Sequence, residues 1–171
     1  CGMYRSGSTW QYQIVSELVE KYQNGRRIGF MTGDEFQRSE YAKILSSQTL
    51  ILKCHDYHPI YGELCKLGEA KAVYSFRDLR EVVLSLAWKL GFSFSETIRS
   101  DALRNAIDSY YKWIVTPHTL IQTYNKINAQ PVLAVKEIAE HLDIDIESDT
   151  IEHLSLKFSK ESNLDRMRFF T

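Results

Sequence analysis

The sequence predicts an α/β fold: a three-layer sandwich with a central parallel sheet and helices on both faces. Three observations carry this. Short runs rich in Val, Ile and Leu alternate with longer segments whose apolar residues recur at helical spacing, as in βαβ units. The short runs are continuously apolar, as expected of strands covered on both faces. Near the start, the glycine-containing turn Tyr4-Arg5-Ser6-Gly7-Ser8-Thr9 passes directly into a helical pattern.

Each element follows from its local pattern. Only a stub of strand precedes Gly2. From Thr9, the residues Ile14, Val15, Leu18, Val19 and Tyr22 form one apolar helical face, and Asn24-Gly25 is the stop. Thr49 to Cys54 reads as a buried strand, Pro59 to Leu67 as a short helix ending at Gly68, and Lys71 to Phe76 as a second buried strand. Val82, Val83, Leu86 and Leu90 give a helix over Leu79 to Leu90, closed by Gly91. Leu103, Ala106, Ile107, Tyr110 and Ile114 line the next helix. Thr119 to Tyr124 is the third strand. A helix after Pro131 carries Ala134, Ile138, Ala139 and Leu142, and a polar helical tail starts at Asp149.

Bulk properties narrow the class. A chain of 171 residues with 44% hydrophobic and 25% charged residues builds one core, so residues 1–171 are expected to be a single domain. A net charge of −1 and a pI near 6.6 argue against broad nucleic-acid binding and leave room for a local basic pocket. No apolar run approaches membrane-spanning length and no signal-peptide pattern is present. Cys1, Cys54 and Cys65 are odd in number and lack metal-binding spacing. They read as reduced thiols of a reducing compartment, and a cytoplasmic location is expected.

In parallel sheets ligands bind beyond the carboxyl ends of the strands. Gly2 to Thr9 reads G-M-Y-R-S-G-S-T, close to the phosphate-binding P-loop G-x-x-x-x-G-K-[ST]. Ser8 stands where that loop has lysine, and the nearest cation is Arg5. Backbone N–H groups at such a helix start face an anion; the plainer alternative is an ordinary turn with a Ser/Thr cap. Lys53 and His55, two apart, share one face of an extended chain, or are a snorkelling lysine beside a surface histidine. Arg77 follows the second strand, and Ser85 lies in the early turns of the next helix. They could converge on one phosphate, or Arg77 could pair with Asp78 or Glu81.

Together these segments resemble the sulfotransferases that use 3′-phosphoadenosine 5′-phosphosulfate (PAPS), which share the P-loop NTPase-like sandwich. Tyr4 to Trp10 is similar to their 5′-phosphosulfate loop, Y-P-K-S-G-T-T-W. Lys53-Cys54-His55 resembles their K-x-H. Val73 to Trp88 resembles their 3′-phosphate motif, V-x-x-x-R-[ND]-x-[RK]-[DE]-V-x-x-S. Leu120 to Ile144 is similar to their L-x-x-x-Y-E-D-L-x-x-x-P segment and the following helix. The resemblance runs from Gly2 to about Ile144.

It implies sulfuryl transfer from PAPS, leaving 3′-phosphoadenosine 5′-phosphate (PAP), to an acceptor hydroxyl or amine by in-line displacement, without a metal. The implied catalytic residues are His55 as general base, Lys53 and Arg5. The implied nucleotide contacts are Arg5, Ser6, Gly7, Ser8, Thr9, Arg77 and Ser85, with Trp10 and Tyr124 at the adenine. Three departures stand out. Arginine replaces the loop lysine, Asn125 replaces the acid after the family tyrosine, and the late R-K-G-x-x-G-D-W-like loop is absent before Thr171. The expectation is therefore a domain lacking part of its first strand and that C-terminal 3′-phosphate loop.

The acceptor, a small molecule or a carbohydrate or lipid, depends on variable loops. Gly91 to Asp101, rich in Phe and Ser, is either part of an acceptor-side loop or a plain connection. A P-loop small-molecule kinase and a catalytically silent nucleotide-binding domain are the alternative functions. Oligomeric state is left open.

Overall fold

The computed structural model describes residues 1–41 and 48–159. The chain runs α1 (Ser8–Tyr22), β1 (Gly25–Phe30), α2 (Gly33–Arg38), β2 (Thr49–Lys53), α3 (Pro59–Lys66) and β3 (Ala72–Phe76). It continues with α4 (Leu79–Leu90), α5 (Phe94–Ile98), α6 (Asp101–Trp113) and β4 (Thr119–Thr123). The last helices are α7 (Tyr124–Ala129), α8 (Pro131–His141) and α9 (Ser148–Lys157).

All described strand pairing is parallel. β1 pairs with β2 from Gly25 opposite Thr49 to Phe30 opposite Lys53, with a shift of register between Arg27 and Gly29. β3 pairs with β4 from Ala72 opposite Thr119 to Phe76 opposite Thr123. The stub at Cys1–Met3 lies against β3 through a parallel bridge of Gly2 with Ser75. There Met3 N–H donates to the Ser75 carbonyl at 2.8 Å, and Ser75 N–H to the Cys1 carbonyl at 3.4 Å. The single sheet expected from sequence is thus present as two ladders, because among the described residues β2 and β3 do not pair with each other. Between them lies a cavity of about 720 Å³ whose lining includes Ile51, Leu52, Ala72, Val73 and Trp113.

Side-chain alternation along the strands builds the three layers. Ile51 of β2 and Val73 of β3 join Ile14 and Leu18 of α1, Val135 and Ile138 of α8, and Ile151 and Leu154 of α9. Their neighbours point the other way. Ala72 and Tyr74, with Leu52 packed alongside, meet Phe36 of α2, Tyr61 and Cys65 of α3, and Trp113 of α6. A third cluster, with Met3, Val82, Val83, Leu86, Leu103 and Ala106, ties the stub to α4 and α6. Helices therefore cover both faces, as the apolar runs require.

Four elements lie outside the sequence-based reading. β1 (GRRIGF) carries two arginines and two glycines and so shows no apolar run; Gly29 at φ 93° sits where its register shifts. α2 and α5 are single short helices, each opened by a capping box, Thr32 with Glu35 and Ser93 with Glu96. The T-x-x-E and S-x-x-E spacings are the signal that marks such starts. α5 falls inside the Gly91 to Asp101 segment, so that stretch is not wholly loop. Tyr124, expected as the last residue of the third strand, instead begins α7, because the Thr123 hydroxyl accepts from Lys126 N–H at 3.1 Å and caps a helix.

A buried amide network locks α1 to the far ladder. Gln11 Nε2 donates to Gln122 Oε1 at 2.9 Å, and Gln122 Nε2 donates to the Ala134 carbonyl and to Glu137, each at 3.0 Å. Lys126 closes the network with an ion pair to Glu137. Burial opposes ionisation of Glu137, but the hydrogen bonds from Lys126 and Gln122 outweigh it and hold the carboxyl below its usual range.

Core and surface are separable by mutation. Ile138→Ala, at a side chain with 0% exposure, is expected to cost about 2–5 kcal/mol through lost burial and a residual cavity. Val115→Ala, at 77% exposure, should change stability by less than about 0.5 kcal/mol. Urea unfolding of the two variants beside the parent checks the contrast.

Candidate functional site

The loop from Gly2 to Thr9 is shaped by steric necessity and one buried hydroxyl. A Cβ on Gly2 would come within 2.4 Å of Ser75 Oγ and 2.8 Å of Ser8 Cβ, so only glycine lets the stub lie against β3. Arg5 and Gly7 both hold left-handed backbone, at φ 61° and 89°. That conformation is easy for glycine and strained for arginine. Ser6, fully buried, holds the turn between them: its Oγ lies 2.6 Å from the Met3 carbonyl, 3.0 Å from the Ser75 carbonyl and 2.9 Å from Ser75 Oγ.

The turn ends at the start of α1. The first helical bond there is Gln11 N–H to the Gly7 carbonyl at 3.1 Å, and no side chain caps the end. The N–H groups of Ser8, Thr9 and Trp10 therefore have no helical acceptor, which leaves them for an anion at the positive end of the helix. Ser8 is buried, while Thr9 is exposed.

Side chains from four other elements close on this loop. At the end of β2, Lys53 Nζ donates to Thr9 Oγ1 at 2.7 Å. Burial, with Lys89 nearby, pulls Lys53 below the usual lysine range, a situation that an incoming anion would relieve. His55 Nδ1 lies 2.9 Å from the Gly2 carbonyl. A carbonyl only accepts, so Nδ1 carries the proton and Nε2 keeps its lone pair. Burial of the ring, aided by the Lys53 charge, lowers the His55 pKa against the opposing effect of the Gly2 bond.

On the other flank, Arg5 Nε donates to Ser85 Oγ of α4 at 2.9 Å. Arg77, just beyond β3, donates from Nη1 to the Arg5 carbonyl at 3.4 Å. Its Nε bonds Glu81 at 2.6 Å, and its guanidinium lies 4.1 Å from the Tyr124 ring centroid. Tyr124 and Ile127 of α7 also wall in Gly7, where a Cβ would meet Ile127 at 3.2 Å. The loop thus has a two-arginine, one-hydroxyl flank and a lysine–histidine flank.

No protein-family model and no curated protein matches this sequence. Solved structures do. One is retinol dehydratase in complex with androsterone and the inactive cofactor PAP, with a TM-score of 0.66 at 14% identity. Another is mouse sulfotransferase SULT7A1 complexed with PAP, at 0.68 and 15%. In both matches 94% of this chain aligns to 63% of the other, so the chain spans less than two thirds of those proteins. The fold is that of the sulfotransferases.

Within this fold most of the residues singled out from sequence come together at one loop. Arg5, Ser6, Gly7, Ser8, Thr9, Lys53, His55, Arg77, Ser85 and Tyr124 all belong to the loop or touch it through the contacts above. Trp10 differs: it packs partly against the Ile14–Leu18 cluster of α1. Arg77 makes the Glu81 pair weighed as its plain alternative, whereas Asp78 caps α4 and pairs with Arg80. His58, the next histidine after His55, accepts from Ile60 N–H at the start of α3 and pairs with Asp34. None of Arg5, Lys53, His55, Arg77 and Ser85 lines the large cavity between the ladders.

Three contributors escape the motif reading. Ser75 is a fully buried hydroxyl in an otherwise apolar strand, and that mismatch was the available signal. Tyr4 stacks on His55 with ring centroids 4.4 Å apart, and Phe30 approaches the same imidazole at 5.7 Å. Nothing in the spacing of residues 4, 30 and 55 announces these contacts.

Two measurements test this account. Ser6→Ala removes the clasp and leaves buried polar groups of Met3 and Ser75 short of a hydrogen-bond partner, so it should lose about 1–3 kcal/mol of stability in urea unfolding. His55 and His141 both have folded pKa values lowered by burial. The unfolded chain then binds more protons below about pH 6.5, so stability is full above that pH and falls as pH drops toward the folded values. His55→Asn should flatten part of this slope in melts run from pH 7.5 to 5.

Proposed function

We propose that the protein transfers a sulfuryl group from PAPS to an acceptor hydroxyl or amine. The observation that carries the reading is the loop's two-flanked chemistry. Arg5, Arg77 and Ser85 gather on one side of a helix N-terminus, and Lys53 and His55 on the other. A nucleotide with a 3′-phosphate and a 5′-phosphosulfate needs both flanks, whereas a simple phosphate needs one. The likeness to two PAP-bound structures supports the same reading, and free cysteines fit a cytoplasmic setting.

PAPS supplies an activated sulfuryl group. Arg77 and Ser85 are the proposed ligands of the 3′-phosphate, Arg77 offering a fork that the Tyr124 ring holds flat. The N–H groups of Ser8 and Thr9, with both hydroxyls, are the proposed 5′-side cradle, and Arg5 neutralises the leaving phosphate. His55 Nε2 takes the acceptor's proton as the acceptor atom bonds to sulfur and the sulfur–oxygen bond to phosphate breaks. Lys53, seated on Thr9, steadies the negative oxygens of the group in flight. The kinase alternative requires a cation at position 8, and Ser8 there is buried at 6% exposure.

Thermal-shift measurement should give stabilisation by PAP above that by ATP–Mg²⁺, and labelled PAPS with an acceptor panel should give labelled product. Stabilisation by ATP–Mg²⁺ alone would favour the kinase, and no response to either nucleotide the silent domain. Arg77→Ala should weaken PAP binding about ten-fold or more, since charge-assisted bonds contribute roughly 1.5–3 kcal/mol. Adenosine 5′-phosphosulfate, lacking the 3′-phosphate, should bind nearly unchanged. His55→Ala should slow turnover by about 10²–10⁴-fold with PAP affinity close to that of the parent.

A further inference from the structure

We propose that Tyr4 is the positioning residue of this site, holding the His55 imidazole by ring stacking so that its Nε2 edge faces the acceptor. The proposal rests on His55 acting there as the base, and it assigns a role to a side chain outside the nucleotide cradle. In the loop this sequence resembles, the residue before the cation is proline; here it is Tyr4.

The geometry has three parts. First, the Tyr4 ring lies 4.4 Å from the imidazole centroid with planes inclined by 30°, a stacked arrangement. Second, Tyr4 is itself anchored, since it packs on the cluster of Met3, Val82, Val83, Leu86, Leu103 and Ala106. Third, among the described residues the imidazole is tethered by the 2.9 Å contact of Nδ1 with the Gly2 carbonyl, and no hydrogen bond holds Nε2. One hydrogen bond leaves a ring free to swing about that contact. A stacked partner removes the swing, and Phe30, tilted at 5.7 Å, narrows the remaining space. Tyr4 and its neighbour Arg5 diverge, one toward His55 and the other toward Ser85. The left-handed turn at Arg5 thus sets base and nucleotide flank in one register.

The same stack keeps water from the ring. Burial is the main cause of the lowered His55 pKa. The charged side chains that face it are Lys53, which lowers it further, and Asp56, which raises it. Removing the Tyr4 ring readmits water without altering those charges, so the His55 pKa should rise toward its ordinary value.

The test compares Tyr4→Ala, Tyr4→Leu and Tyr4→Phe in the whole chain, following the His55 ring protons by NMR titration and turnover by labelled PAPS. Tyr4→Leu retains an apolar anchor on the α4–α6 cluster, so it reports on the stack even if Tyr4→Ala folds poorly. Loss of the ring should raise the His55 midpoint and move the acid limb of the turnover profile with it. It should lower kcat by about ten- to a hundred-fold, the scale of a small misplacement of a reacting group, and leave the PAPS KM within about two-fold. Tyr4→Phe, which keeps the ring, should hold the wild-type midpoint. An unmoved midpoint in Tyr4→Leu, or a shift as large in Tyr4→Phe, overturns the proposal. If the midpoint moves while His55→Ala retains turnover, the stack stands and the assignment of His55 as base fails.

Discussion

The buried Ser6 hydroxyl is the constraint on which the rest of the site depends. It sits between two left-handed residues, within hydrogen-bond distance of the Met3 and Ser75 carbonyls and the Ser75 hydroxyl. That clasp sends the chain from the edge of β3 into α1 within a few residues. Once the turn is set, the N–H groups of Ser8, Thr9 and Trp10 end up at a helix start with no cap. Arg5 and Tyr4 leave in different directions. Gly2 and Gly7 permit the close approaches, one to β3 and the other to α7.

Charge is arranged around this turn with economy. The chain as a whole carries a formal charge of −1, yet Arg5, Arg77 and Lys53 all reach the same loop. The structure tolerates their proximity in different ways. Arg77 is balanced by Glu81 and rests on the Tyr124 ring. Lys53 is pulled below its usual range by burial, and Arg5 gives its Nε to the neutral Ser85 hydroxyl. Arg77 already has a charged partner, whereas Lys53 and Arg5 rest on neutral hydroxyls, a weaker arrangement than a bond between two charged groups. On the proposed reading, a bound anion would give Lys53 and Arg5 the charged partners that their hydroxyl contacts lack. Preorganisation of that kind is what an electrostatically driven group transfer needs.

Separate clusters stabilise the two jobs proposed for the loop. The face with α1, α8 and α9 holds the helix whose N-terminus offers backbone donors. The cluster of α4 and α6 includes Met3, and Tyr4 packs against it. The Gln11–Gln122–Glu137 network ties α1 to β4 and α8 and thereby to the strand beside Arg77. The donor binding and base positioning proposed here would thus have distinct mechanical supports that meet at residues 2–9.

Local pattern determined a large part of this in advance. Apolar runs located β2, β3 and β4, helical periodicity located α1, α4, α6 and α8, and the rule that ligands meet strand ends pointed to Arg5, Lys53, His55 and Arg77. Those signals survive in sequence because a strand or helix is specified by residues within a few positions of one another. Tertiary structure alone decided the rest. β1 is a strand because β2 offers it a ladder, not because GRRIGF prefers to be one. Arg5 meets Ser85 across 80 positions, Ser6 meets Ser75 across 69, and Gln11 meets Gln122 across 111. Tyr4 finds His55 in the same way. Such pairings are set by strand order, register and the angle at which helices pack, quantities that emerge only when the whole core closes and that no short window of sequence contains.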